Sequence, residues 1–292
     1  MPSLDYLHVD VFTPAPYGGN SLPVFYDAPD LSAAQMLTIT QELRQFEAIF
    51  LQPTGTPGLV SARVFDLFEE LPFAGHPLIG AAAALEHLHG ASDPGAWTLD
   101  LSGRHVSINV EGAGGQYAAL LDAGSADFLG LAEDRTQVAR AFLLAEADLD
   151  PAIPLEVAST GLRYLVVPLQ AGRIGKARIA HDLTGLLNSL GAQFAVLLDP
   201  HAREIRHWNN DGVIEDVATG SAAGVVAAYC IKHGLAPANE TFTLAQGRFA
   251  GRPSALDVRV DRSHAGGLSV KIGGRVAVVG MGTLNQAPVM QS

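Results

Sequence analysis

Over residues 6–12 the apolar positions Leu7, Val9 and Val11 alternate with His8 and Asp10, a period of two that predicts a strand. Gly18-Gly-Asn20 marks a turn, and residues 22–26 read as a second strand. The period then lengthens. Met36, Ile39 and Leu43 form the buried stripe of a helix opened by Ser32. Gln35, three residues later, completes a capping box, and Leu31 with Met36 is spaced as a hydrophobic staple. Residues 48–51 are a short apolar strand, 54–58 a loop and 59–65 another strand. A further helix begins near Pro77, which suits a first helical position, and runs to about Leu88 with Gly90 as its stop. It is apolar nearly all round up to Leu85, which predicts a core helix.

The order recurs in the second half. Leu183, Leu186 and Leu190 stand 147 residues beyond Met36, Ile39 and Leu43, and the apolar strand 195–198 stands 147 beyond 48–51. Gly220 opens a second Ala/Gly/Val helix, 145 residues beyond Gly75, that ends before Gly234. A shared order at a near-constant offset predicts an internal duplication. Residues 120–154, with one helix expected at 135–147, read as the linker. The expected architecture is α+β: two pseudo-symmetric domains, 1–125 and 126–292, each a curled, mostly antiparallel sheet around a central helix. A doubly wound parallel sheet would need a helix after every strand.

Composition narrows the function. The chain has 292 residues, 48% hydrophobic and 16% charged, with a net charge of −12. Such a core-rich, acidic protein lacks the basic patch that nucleic acid or an anionic membrane requires. No apolar run reaches the ~18 residues of a membrane span, and residues 1–6 do not resemble a signal peptide. The expected compartment is the cytoplasm, the expected partner a small molecule, and a homodimer is left open. The lone cysteine, Cys230, excludes a disulfide framework and a Cys-based zinc site. It falls mid-helix and reads as inert core.

The starts of the two apolar helices are the first candidates for chemistry. Gly75, His76, Gly220 and Ser221 either begin tightly packed helices or line a site where free N–H groups and the helix dipole hold a carboxylate. Glu47 adjoins the strand 48–51; it is either an edge residue in water or a carboxylate whose apolar setting suits a proton-transfer base. The position 147 residues beyond it is Phe194. Asp216 precedes the second helix and either serves the helix dipole or assists catalysis. His76 has no metal-ligand companion at useful spacing, and His87 and His89 read as surface residues. Gly112-Ala-Gly-Gly115 reads as a hairpin turn, Gly172-Arg-Ile-Gly-Lys176 is too short for a phosphate loop, and Gly220-Ser-Ala-Ala-Gly224 is not a nucleophile elbow.

Seven segments together resemble the phenazine-biosynthesis (PhzF-like) isomerase family of the diaminopimelate-epimerase-like fold, across residues 9–282. They are Val11-Phe-Thr13 with Gly19-Asn20; Phe46-Glu-Ala-Ile-Phe50; Leu71-Pro-Phe-Ala-Gly-His76; Thr160-Gly161; Glu215-Asp-Val-Ala-Thr-Gly-Ser-Ala222; Gln246-Gly-Arg248 with Gly251-Arg-Pro-Ser254; and Gly274-Arg-Val-Ala-Val-Val-Gly280. The resemblance implies isomerisation of the trans-2,3-dihydro-3-hydroxyanthranilate type without metal or organic cofactor. It assigns the base to Glu47, with His76 and Asp216 assisting, and substrate contacts to Asn20, Gly75, Thr219, Gly220 and Ser221. Phe46, Ala48 and Val217 replace the family's usual Ser, Thr and Pro. The expectation is therefore a single-base proton-transfer isomerase of a small carboxylate-bearing substrate. The alternatives are a two-base racemase or epimerase, whose helix-start cysteines are here Ala74 and Ala218, and an inactive small-molecule binding protein.

Overall fold

The computed structural model describes residues 3–28, 30–89, 95–262 and 267–289. The chain divides into two compact units, Met1–Asp122 with Gly273–Ser292, and Ala123–Ile272. The expected boundary at residue 125 falls beside this division, but the C-terminal residues group with the first unit. Among the described residues the fold is sheet-rich with five α-helices. No helix among them is long and apolar enough to cross a membrane.

The first unit runs β1 (Leu4–Val11), β2 (Asn20–Phe25), α1 (Ala33–Leu43), β3 (Glu47–Pro53), β4 (Leu59–Asp66), β5 (Glu70–Leu71), α2 (Gly75–His89), β6 (Gly95–Leu101), β7 (Arg104–Ala113) and β8 (Gln116–Ser125). Gly90, the expected stop of α2, lies outside the described residues. Ser32 and Gln35 cap α1 reciprocally, Ser32 N–H donating to Oε1 at 3.0 Å and Gln35 N–H to Oγ at 3.3 Å. Alternation along β3 then covers both faces of the sheet. Ala48 and Phe50 join Phe25, Phe65, Met36 and Ile39 in a core beneath α1, while α2 packs on β1, β2, β3, β6 and β7. Burial on both sides explains the unbroken apolar run 48–51. Gly80 makes the close approach of α2 feasible, because a Cβ there would meet Leu22 Cδ2 at 2.6 Å. The Gly114-Gly115 corner joins β7 to β8 with both glycines at positive φ, +64° and +86°, as a two-residue hairpin turn needs.

The second unit runs β9 (Asp127–Leu131), α3 (Arg135–Ala141), β10 (Glu156–Ser159), β11 (Arg163–Pro168), α4 (Thr184–Ser189), β12 (Phe194–Asp199), β13 (Glu204–Trp208), β14 (Glu215–Asp216), α5 (Gly220–Lys232), β15 (Thr241–Gln246), β16 (Ser254–Arg262) and the start of β17 (Leu268–Leu284). Helix α5 packs on β10, β11, β12 and β16. Gly224 repeats the role of Gly80, since a Cβ would meet Ile272 Cδ1 at 2.7 Å.

Three expectations need correction here. Residues 120–154 are not a plain linker: β8, β9 and α3 occupy much of them. The helix expected at 135–147 stops at Ala141, because Leu143 turns left-handed at φ 53° and Leu144 N–H closes back on Ala139 O. In α4 the buried residue is Leu187 rather than Leu186, with Leu183 at the N-cap.

The far part of β17 belongs to the first unit, where it pairs antiparallel with β1 from Val11↔Val276 to Leu4↔Leu284 and also with β8. The ladders β1–β2, β2–β3, β3–β4, β4–β6, β6–β7, β7–β8, β8–β17 and β17–β1 therefore close a barrel of eight strands around α2.

Candidate active site

In the first unit, Glu47 opens β3 and His76 is the second residue of α2. Their side chains are 19% and 10% exposed, and His76 Nδ1 lies 3.1 Å from Glu47 Oε2. The left-handed cap at Arg44, φ 51°, ends α1 three residues before Glu47 and turns the chain into β3. A carboxylate and an imidazole this close and this sheltered form a pair able to handle a proton between them. Gly75 leaves the approach to the helix start open, since a Cβ there would meet only Leu121, at 3.8 Å. β2 and β3 run parallel with Val24 beside Ile49, so Asn20 and Glu47 open neighbouring strands at the same end of the sheet. Asn20 itself is buried and pairs with Val11.

In the second unit, Asp216 ends β14 opposite His207 and leads into α5. Asp216 Oδ2 accepts from Thr219 Oγ1 at 2.6 Å and Oδ1 from Ala218 N–H at 3.3 Å. Gln246, 1% exposed, bonds Thr219 and the Asp216 main chain. Ser221, the second residue of α5, shares a 2.7 Å hydrogen bond with the Tyr164 hydroxyl. Burial pushes the Tyr164 phenol well above its ordinary value, so it keeps its proton. His207 rests edge-on against Tyr164 and Phe194, and its Nδ1 donates to Ala195 O at 2.9 Å. Burial lowers the tendency of His207 to protonate, so the ring is neutral near pH 7.

The structure thus brings Glu47 to His76, and Asp216 to Thr219. Sequence reasoning missed Tyr164, His207 and Gln246 as members of the second cluster. Tyr164 sits in the largely apolar β11 and His207 in the mixed β13, and neither carries a spacing signal. Only the motif around Gln246 marked that residue. His87, expected at the surface, is half-buried with Nδ1 3.0 Å from the Tyr117 hydroxyl. A groove of about 560 Å³ in the first unit is lined by Leu51, Leu85, Leu88, His89 and Trp97 among others. It lies at the C-terminal end of α2, away from the chemistry-bearing end.

The family model for "Phenazine biosynthesis-like protein" (PhzC-PhzF) matches residues 9–282. A trans-2,3-dihydro-3-hydroxyanthranilate isomerase of Pseudomonas chlororaphis is 31% identical over 96% of this chain and 98% of its own. A solved structure from Pseudomonas aeruginosa, described as a predicted epimerase, is 47% identical with a TM-score of 0.88, covering 97% of this chain and 99% of that one. A hydroxyproline epimerase from Agrobacterium vitis shares the fold, with a TM-score of 0.61 at 13% identity over 98% of this chain and 92% of that one. The chain belongs to the phenazine biosynthesis-like (PhzF) family, and it is an isomerase with a fold shared by epimerases.

Proposed function

We propose that this isomerase moves a proton within a small carboxylate-bearing substrate, without metal or organic cofactor, and that Glu47 is its single base. The observation that carries the reading is the Glu47–His76 pair, 3.1 Å apart and largely sheltered from water. Glu47 takes a proton from a carbon made acidic by conjugation. The electron pair shifts along the conjugated system, and the proton returns to a different carbon. Atoms and electrons balance, so neither oxidant nor reductant is needed. His76 orients the carboxylate. Asp216 is assigned the assisting role, and Asn20, Gly75, Thr219, Gly220 and Ser221 the substrate contacts. The first-turn N–H groups of α2 and α5 suit a substrate carboxylate.

The single-base assignment rests on an internal duplication, which we infer from the matching order and sense of pairing. β2 and β3 are parallel, as are β11 and β12; β3–β4 and β12–β13 are antiparallel; β4–β6 and β13–β15 are parallel. Glu47 opens β3 and Phe194 opens β12. The second unit therefore offers no carboxylate at the equivalent corner, and the same group must remove and return the proton. The substrate is a diffusible cytoplasmic metabolite on this reading.

The test is turnover of trans-2,3-dihydro-3-hydroxyanthranilate, followed by mass spectrometry in heavy water. Glu47→Gln keeps the shape and removes the base, so turnover falls by at least ~10²-fold. Ligand binding, measured calorimetrically, survives. A variant that turns over near the wild-type rate sinks the assignment. Dialysis against EDTA leaves wild-type turnover unchanged.

A further inference from the structure

The polar groups at the start of α5 form a chain of hydrogen bonds whose direction is set from one end. The backbone N–H of Thr219 can only donate, and it lies 3.0 Å from Gln246 Oε1. That orients the Gln246 amide. Its Nε2 then lies 2.9 Å from the main-chain oxygen of Asp216, which can only accept, so both ends of the amide agree on one orientation. The second Nε2 hydrogen points to Thr219 Oγ1 at 3.0 Å. Having received one hydrogen, the Thr219 hydroxyl directs its own to Asp216 Oδ2 at 2.6 Å. Oδ1 accepts from Ala218 N–H at 3.3 Å. Both oxygens of Asp216 therefore act as acceptors. Gln246 is 1% and Thr219 9% exposed, so water has little access with which to reverse the chain. The ionisable neighbours do not disturb this direction. His207, the ladder partner of Asp216, is neutral through burial, and the Tyr164 phenol keeps its proton.

We propose that Gln246 is a positioning residue: by orienting the Thr219 hydroxyl it presents Asp216 to the substrate as a proton acceptor in one fixed orientation. The proposal rests on the assignment of Asp216 to the reaction made above. It assigns the direction of proton movement at Asp216, which takes a proton from a substrate heteroatom as Glu47 removes the carbon proton, and returns it to that heteroatom as Glu47 delivers its proton to the second carbon, so that no proton is lost from the substrate. It also gives the Gln246-Gly-Arg248 segment a chemical role through a residue that touches no reacting atom.

Two measurements test it on the full-length chain. The first uses no substrate. In deuterated, isotope-labelled protein, a through-hydrogen-bond coupling should join the Thr219 amide nitrogen to the Gln246 side-chain carbonyl carbon, and it should vanish in Gln246→Met. Its absence from the wild type overturns the inference. The second is steady-state turnover of trans-2,3-dihydro-3-hydroxyanthranilate. Gln246→Glu keeps size and shape but turns an acceptor toward the Thr219 hydroxyl and draws its hydrogen away from Asp216. The expected result is a fall in kcat of about 10²-fold, the scale of a misplaced catalytic group, with KM little changed. Wild-type kcat in Gln246→Glu, or a loss carried entirely by KM, overturns the inference. If Gln246→Met fails to fold, the wild-type coupling and Gln246→Glu still decide. Failure of the underlying reading looks different: Asp216→Asn turns over at the wild-type rate, or the wild type ignores the probe, while the coupling persists. In those cases the coupling supports the orientation, and it is the assignment of Asp216 or of the substrate that falls.

Discussion

His207 carries an acid cost. Its ring is buried against Tyr164 and Phe194, and burial holds it below the ordinary histidine value. An unfolded histidine binds a proton near pH 6.5, whereas the folded ring binds one only at lower pH. The unfolded state therefore gains protons first. Stability from this residue is intact above about pH 6.5 and is lost as pH falls toward the folded value, at up to ~1.4 kcal/mol per pH unit. His207→Phe should flatten the acid side of the urea-midpoint curve, and an unchanged acid slope would contradict the argument. Cys230 makes a second prediction. Burial pushes its thiol up to about 12, so native alkylation at pH 8 should be slow and should track global unfolding. Glu47, His76 and Asp216 were singled out in the sequence through the family resemblance, since their residue types alone left a purely structural reading open for each. Tyr164 and His207 were not, because a buried aromatic or imidazole in a β-rich stretch reads as strand filler until its neighbours are known.

Helix α1 shows how much of an element its own residues dictate. Ser32 and Gln35 fix its start, and Arg44 in the left-handed region fixes its end. Ser32→Ala should cost ~1 kcal/mol, the usual worth of an N-cap, read as a shift in the denaturation midpoint. Helix α5 depends on its surroundings instead. A Cβ at Gly224 would meet Ile272 Cδ1 at 2.7 Å, closer than a side chain can come without displacing it. Gly224→Val should destabilise by ~1–3 kcal/mol through overpacking, while Gly234→Ala, at a positive φ but in open space, tests backbone strain alone. Capping is local, so the start of α1 could be read from the chain, and α2 and α5 were announced by their long apolar runs. The early end of α3 could not, because it depends on the turn at Leu143. The shift of burial from Leu186 to Leu187 likewise depends on the packing core around α4, which includes Leu165 and Leu197.

At the scale of the molecule, the offset of about 147 residues predicts two similar halves, but no local pattern announced that β17 crosses from the second unit to the first. Pairing between β17 and β1 joins residues about 270 apart, and periodicity carries no information at that range. Truncation after Ile272 should leave the barrel open and the first unit loosely packed. Near-ultraviolet circular dichroism and limited proteolysis would show it, and a native-like first unit would refute the claim. The same strand has a consequence for synthesis. Seven of the eight barrel strands leave the ribosome early, with the edges of β1 and β8 unpaired until the last is made. Residues 123–272 meanwhile emerge as an uninterrupted stretch. Translation order and folding order are thus inverted: the N-terminal unit is made first and finished last. Its exposed edges are a template for wrong pairing during that wait. Synthesis of β17, rather than of the strands made early, becomes the event that commits the first unit to its native state.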